Sequence, residues 1–320
     1  TFVKSVGGSP TNVAVGAARL GLRVAAVTAV GDDALGRYVG ARLAAHGLDT
    51  RYVQVQPGER TPLALVALNP PEHPEVAFYR GLRPPDASLP AELFEQVSRR
   101  AVRAVWVSHA ALAPGTTGDA LAAWLVDRVD RDAGTTLLDL DHRPALWSDP
   151  HVARQRAAEA IACCQVVVGN QAECTMALGV DDPDRAADEL LRRGVRLAVV
   201  KLGGDGVLMA TPDERFRIAS RPVEVVCGLG AGDAFGAALV YGLLAGLPLR
   251  EIGRIACDAG AFVVGRLTCS DDMPTLQELR MMAVLRQVSD PGKSEGARWA
   301  GMRIHRISSA TMTELGYSSK

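Results

Sequence analysis

Between residues 104 and 202 the sequence repeats one pattern: a short apolar run, a turn, then a longer stretch with helical spacing. The apolar runs cover residues 104–108, 135–140, 166–169 and 197–202; the helical stretches cover 117–130, 151–163 and 183–193, with a short helix from Ala172. Such alternation predicts an α/β fold, a mostly parallel sheet covered by helices on both faces. Ligands in these folds gather at the carboxyl ends of the strands. Ser108, residues 139–143, Gly169 and Asn170, and residues 201–206 all fall at such ends.

Ahead of this region, small residues at helical spacing over 13–21 predict a helix stopped by Gly21, followed by a strand over 23–30. A second helix is expected over 35–46, ending at Gly47. The period then changes. Residues 50–56, 61–69 and 75–80 alternate in period two around turns rich in proline and glycine, which predicts a small antiparallel sheet inserted as a lid. Residues 289–320 are polar and lack sustained periodicity, and read as a poorly ordered tail. The domain expectation is therefore one unit over 1–280, with lid strands over about 1–6 and 50–81, and a helix end and tail over 281–320.

The stretch Val226-Cys227-Gly228-Leu229-Gly230-Ala231-Gly232-Asp233 runs directly into an apolar helical pattern. Glycines at 228, 230 and 232 let main chain approach a ligand closely. The unpartnered amides and positive dipole of the helix start favour phosphate or another developing negative charge. Asp233, held beside such a cradle, could take a proton from an attacking hydroxyl. The same residues also fit a plain helix cap after a glycine turn.

Other strand ends carry weaker signals. Asn170 and Glu173, three apart at a helix start, could face Mg²⁺ and phosphate oxygens, or could simply cap the helix. Lys201-Leu202-Gly203-Gly204-Asp205-Gly206 could lie along a nucleotide or form a hairpin turn. Residues 139–147, Asp-Leu-Asp-His-Arg-Pro-Ala-Leu-Trp, offer two carboxylates and a guanidinium, so Arg143 could grip a carboxylate or pair locally with aspartate. Arg80, at the end of the expected lid strand, has the same two readings.

The chain has 320 residues, 22% of them charged, with net charge −1, so no basic field points to nucleic acid or an anionic membrane. No apolar run approaches the roughly 20 residues that span a bilayer. Six cysteines without a C-x-x-C pair read as reduced thiols in a cytosolic protein. Neither the Walker phosphate loop nor the dinucleotide fingerprint is present.

In their order, Gly7-Gly8-Ser9-Pro10-Thr11-Asn12, Gly31-Asp32, Asn170-x-x-Glu173, Lys201-Leu202-Gly203 and Gly230-Ala231-Gly232-Asp233 resemble the ribokinase-like, or PfkB, family of carbohydrate kinases over about residues 1–279. The resemblance implies a three-layer α/β/α sandwich with a small β-sheet lid, and ATP and Mg²⁺ as cofactors. It implies that Asp233 is the base, that the amides of Gly230, Ala231 and Gly232 form the anion hole, and that Gly8 and Asn12 bind sugar hydroxyls. Lys201, Gly203, Gly206 and Gly228 would line the nucleotide, while Asn170 and Glu173 would organise Mg²⁺ through water or phosphate. Residues 50–81 would exclude water from the site and pair two subunits as a homodimer.

Within the family, residues 7–12, 78–80, 139–147 and 272–275 are most similar to kinases of acidic keto-sugars such as 5-dehydro-2-deoxy-D-gluconate. 2-Keto-3-deoxygluconate is the nearest rival substrate, and fructose is a neutral alternative. Arg80 and Arg143 would meet the substrate's acidic group. Three departures stand out. The family's first strand, with a sugar-binding Asp, is expected upstream of Thr1, which leaves an inactive kinase-shaped binding protein as the alternative to an enzyme. Cys257 stands where relatives often have Asn near the adenine, and Val225 and Val226 stand near a monovalent-cation position.

Overall fold

The computed structural model describes residues 2–72, 74–98, 102–130, 134–289, 298–299 and 302–303. Helix α1 (Ser9–Arg19) comes first and starts earlier than its apolar spacing suggests, because Pro10 is preorganised for a first helical turn. Gly21 follows with φ +95°, the left-handed stop expected of it. Strand β1 (Thr28–Gly31) leads into α2 (Ala34–Ala45), and β2 (Val53–Gln56) pairs with β1 in parallel. This corrects the expected lid: β2 belongs to a parallel pair, and residues 2–6 form no strand. Only β3 (Leu63–Ala67) and β4 (Glu75–Tyr79) make the antiparallel hairpin.

After α3 (Ala91–Ser98) the predicted alternation is met: β5 (Ala104–Ser108), α4 (Thr116–Asp130), β6 (Thr135–Asp139), α5 (Pro150–Ala162), β7 (Val166–Asn170), α6 (Gln171–Leu178), α7 (Pro183–Arg192) and β8 (Leu197–Lys201). A hairpin of β9 (Val207–Ala210) and β10 (Arg215–Ile218) extends the sheet, whose spatial order is β10-β9-β8-β7-β6-β5. Strands β5 to β8 are parallel. Helices α8 (Ala231–Leu244), α9 (Leu249–Val264) and α10 (Leu276–Ser289) follow, and within the expected tail β11 (Arg298–Trp299) pairs with β12 (Met302–Arg303). The remainder of that tail lies outside the described residues.

Successive strand residues divide between two cores, which is what makes the architecture three-layered. Leu137, Val166, Val168, Leu197 and Val199 face α1, α8 and α9. Leu138, Val167, Ala198 and Val200 face the layer of α3 to α7. Glycine sets the closeness of the first layer: a Cβ on Gly236 would stand 2.5 Å from the Trp106 ring, and one on Gly242 2.7 Å from Ile252. The register also aligns the strand ends, with Ser108 opposite Asp139 and Asn170 opposite Lys201. Polar residues from four strands therefore emerge along one rim, beside the first turn of α8.

Candidate active site

Asp233 sits in the first turn of α8, whose N-cap Gly230 takes a left-handed φ of +83° that only glycine adopts easily. Helix α1 begins at the same place. From its first turn, Ser9 Oγ donates to Asp233 Oδ1 at 2.7 Å and Asn12 Nδ2 donates to Asp233 Oδ2 at 2.7 Å. Burial pushes the Asp233 carboxyl up, the bonds from Asn12 and Ser9 pull it back, and Asp141 adds to the rise. The net direction is upward. Asn12 is itself buried at 4% exposure, and its Oδ1 has no hydrogen-bond partner among the described residues.

The turn around Gly230 is closely packed. A Cβ there would meet Cys269 Cβ at 3.1 Å and its sulfur at 3.2 Å. Burial, with Asp233 nearby, pushes the Cys269 thiol up to about 12. Neither α1 nor α8 carries a side-chain cap on its N-terminus. Two sets of helix-start amides therefore converge near one carboxylate, an arrangement that favours a further anion.

Lys201 closes the other side. A Cβ on Gly232 would lie 3.4 Å from Lys201 Nζ, which stands 3.3 Å from Asp139 Oδ1 and 3.7 Å from Glu173 Oε2. Burial opposes the Lys201 charge, but Asp139 and Glu173 outweigh it and hold the ammonium above its usual range. Asp139, only 2% exposed, is pushed up by burial; Lys201 opposes the shift, and Glu173, Asp141 and Asp233 add to it. One ammonium is shared among several carboxylates, so the cluster favours holding a proton.

Asn170 and Glu173 form a reciprocal cap on α6: Glu173 N donates to Asn170 Oδ1 at 2.9 Å and Asn170 N to Glu173 Oε2 at 2.7 Å. The capping reading is thus realised, and it fixes Glu173 beside Lys201. Among the described residues no three His, Cys, Asp or Glu side chains gather as ligands for a metal ion. Oxygen donors on Asp139, Asn170 and Glu173 at adjacent strand ends suit Mg²⁺ held through water and phosphate, since that ion usually keeps several waters.

The remaining expected residues divide. Arg143 Nη2 binds Asp141 Oδ1 at 2.7 Å while half its side chain stays exposed, and Asp141 Oδ2 accepts from Ser108 Oγ at 2.9 Å. Trp147, stacked on the buried His109 with ring centroids 4.5 Å apart, anchors that loop. Arg80 pairs with Asp86 at 2.7 Å, a local contact at the foot of the lid. Gly8, the N-cap of α1, has φ +93°. Gly203 and Gly206 flank the turn after β8, and Gly206 is required there because a Cβ would stand 1.9 Å from the Ile218 carbonyl. The Gly228 amide donates to the Pro71 carbonyl at 2.9 Å, so the β3–β4 loop occupies it in place of a phosphate.

Ser9 was not among the site residues expected from sequence, and Asp139, though within the 139–143 strand end singled out there, was given no role of its own. Ser9 lies three residues before Asn12, on the same helix face, a relation hidden when the helix is started at residue 13. Asp139 ends β6 and Lys201 ends β8, and the parallel pairing of both with β7 between them brings the two side chains together.

Residues 1–276 match the description "pfkB family carbohydrate kinase". A 5-dehydro-2-deoxygluconokinase from Geobacillus kaustophilus (strain HTA426) is 32% identical over 286 residues, 87% of this chain and 84% of that protein. Among solved structures, a PfkB protein from Polaromonas sp. JS666 is 26% identical with a TM-score of 0.77, covering 88% of this chain and 90% of that one. A fructokinase from Vibrio cholerae O395, crystallised with fructose, ADP and calcium ion, shares the fold at 24% identity, with a TM-score of 0.78 over 88% of this chain and 92% of its own. No helix of the described residues is long and apolar enough to cross a membrane.

Proposed function

Because the chain belongs to the PfkB family of carbohydrate kinases, which use ATP and Mg²⁺, we propose that it phosphorylates an acidic keto-sugar, with 5-dehydro-2-deoxy-D-gluconate as the favoured substrate. The observation that carries this reading is the Asp233 carboxylate, bonded by Ser9 and Asn12, at the uncapped start of α8.

Asp233 is the general base. A base works best with a pKa near the working pH, and burial moves this carboxyl in that direction. The amides of Gly230, Ala231 and Gly232, with Lys201 beside them, stabilise the charge on the transferring group. When bound, ATP supplies the phosphoryl group and Mg²⁺ spreads its charge. Asp139, Asn170 and Glu173 would hold the ion, and Lys201, Gly203 and Gly206 would border the nucleotide. Gly8 and the unpartnered Asn12 Oδ1 take sugar hydroxyls.

Arg143 supports the acidic substrate. Its pairing with Asp141 leaves other guanidinium donors at an exposed position on the rim. Support for Arg80 is weaker, because Asp86 already partners it. The β3–β4 hairpin carries the lid and the homodimer contact. Two strands alone are marginal in water, and Leu63, Leu65, Phe78 and Tyr79 are exposed on them. An ATP-consumption assay across 5-dehydro-2-deoxy-D-gluconate, 2-keto-3-deoxygluconate and fructose tests the assignment; a clear preference for fructose overturns the acidic-substrate reading.

A further inference from the structure

We propose that Ser9 is a second phosphoryl acceptor, so that in the absence of sugar the protein phosphorylates itself at this side chain and thereby restrains its own activity. The inference rests on the kinase reading above. Its observation is the Ser9 hydroxyl, which donates to Asp233 Oδ1 at 2.7 Å, the relation that a general base requires of the hydroxyl it activates. Asn12, on the other carboxylate oxygen, offers an amide N–H that cannot serve as a nucleophile. Ser9 is therefore the protein's own alcohol in contact with the base, at the edge of the cradle where the phosphoryl group would lie.

The step balances without any further reactant. Asp233 takes the Ser9 hydroxyl proton, Ser9 Oγ bonds to the γ-phosphorus of ATP, and the bond from that phosphorus to the β,γ-bridging oxygen breaks. ADP leaves with the electron pair. The product has a place to rest, because Ser9 is the first residue of α1, and this helix start has no side-chain cap and no acidic residue in its first turn. Phosphate at a helix N-terminus is stabilised by the free amides and the dipole. The same dianion would stand beside Asp233, repelling a second triphosphate and occupying the position of the sugar hydroxyl. A bound sugar, by presenting a better-placed alcohol to Asp233, protects Ser9.

The test uses the whole chain incubated with ATP and Mg²⁺, with and without 5-dehydro-2-deoxy-D-gluconate, followed by intact-mass and peptide mass spectrometry. The expected result is one added phosphoryl group on the peptide containing Ser9, absent from Ser9→Ala and Asp233→Asn and reduced several-fold by sugar. Sugar turnover after preincubation should fall in proportion to the fraction modified. An unmodified Ser9 in a preparation that turns over sugar overturns this inference and leaves the kinase assignment intact. Label confined to other residues does the same. Absence of both sugar turnover and label across all the sugars tested removes both.

Discussion

Asn12 Nδ2 donates to Asp233 Oδ2 at 2.7 Å, joining the first turn of α1 to the first turn of α8 through a base that burial pushes upward. This donor stabilises the ionised carboxylate and lowers its pKa. Asn12→Ala should therefore move the acidic limb of the kcat/KM profile to higher pH, because the base must then ionise without that bond. A hydrogen bond to a charged group contributes roughly 1.5–3 kcal/mol, so the shift should be about one to two pH units. An unshifted limb with only a raised KM would mean that Asn12 serves the sugar alone.

Removing the base is the more severe change. Asp233→Asn keeps a similar shape and can still meet Ser9, so the fold and nucleotide binding should persist. Turnover should fall about 10²–10⁴-fold, the usual contribution of general-base catalysis. Calorimetry with a nonhydrolysable ATP analogue, alongside kcat, separates the two quantities. Near-normal turnover in the variant excludes Asp233 as the base.

Asp139 gives a prediction that does not need the substrate. Its carboxyl is pushed up in the folded protein by burial, with Glu173 and Asp141 adding and Lys201 opposing. Between the ordinary carboxylate pKa and the raised folded value, the unfolded chain releases this proton while the folded chain keeps it. The group thus contributes stability at low pH that is lost as pH rises, by up to about 1.4 kcal/mol per pH unit. Asp139→Asn lacks this loss. Whatever the variant's stability at pH 5, its Tm relative to the parent protein should improve between pH 5 and pH 8. A constant or worsening difference would show that Lys201 dominates and Asp139 is ionised throughout.

Much of the fold is legible in the sequence because it depends on local periods. The apolar runs over 104–108, 135–140, 166–169 and 197–202 became β5 to β8, each to within a residue, and the glycine turn before Asp233 became a left-handed helix start. What was hidden depends on pairing across the chain. Val53 alternates as a lid strand would, yet it pairs with Thr28 in parallel. Ser9 looks like a turn residue until Pro10 starts the helix beneath it. Asp139 reads as one of two carboxylates in a loop, and only the placing of β6 and β8 on either side of β7 gives it Lys201 as a partner. Arg80 shows the same limit at short range, since its pairing with Asp86 six residues away is set by the folded turn between them.

Gly228 links the lid to the phosphate cradle. Its amide donates to Pro71 O, and a Cβ would stand 2.5 Å from the Glu72 carbonyl. Gly228→Ala must displace the β3–β4 loop while leaving both cores untouched. Thermal stability should fall by about 1 kcal/mol, the central cost of a point substitution. The KM for sugar should rise several-fold, and ATP hydrolysis without sugar should increase as water enters the site. Stability and kinetics both unchanged would show that the loop contact has no part in closure.

The hairpin's two faces can be separated by substitution. Register places Leu63 opposite Tyr79 and Leu65 opposite Ala77 on one face, with Ala64 opposite Phe78 and Val66 opposite Val76 on the other. Strand alternation puts Arg80 on the Phe78 side, so a lid that turns Arg80 toward the sugar leaves Leu63, Leu65 and Tyr79 for a second subunit. Leu65→Glu buries a charge in that contact and should convert a dimer to a monomer, read by light scattering at micromolar concentration. Phe78→Ala should leave the dimer intact and raise the KM for sugar. The reverse outcome, dissociation by Phe78→Ala with Leu65→Glu still dimeric, would exchange the two faces and place Arg80 in the subunit contact, leaving Arg143 as the one guanidinium assigned to the acidic group.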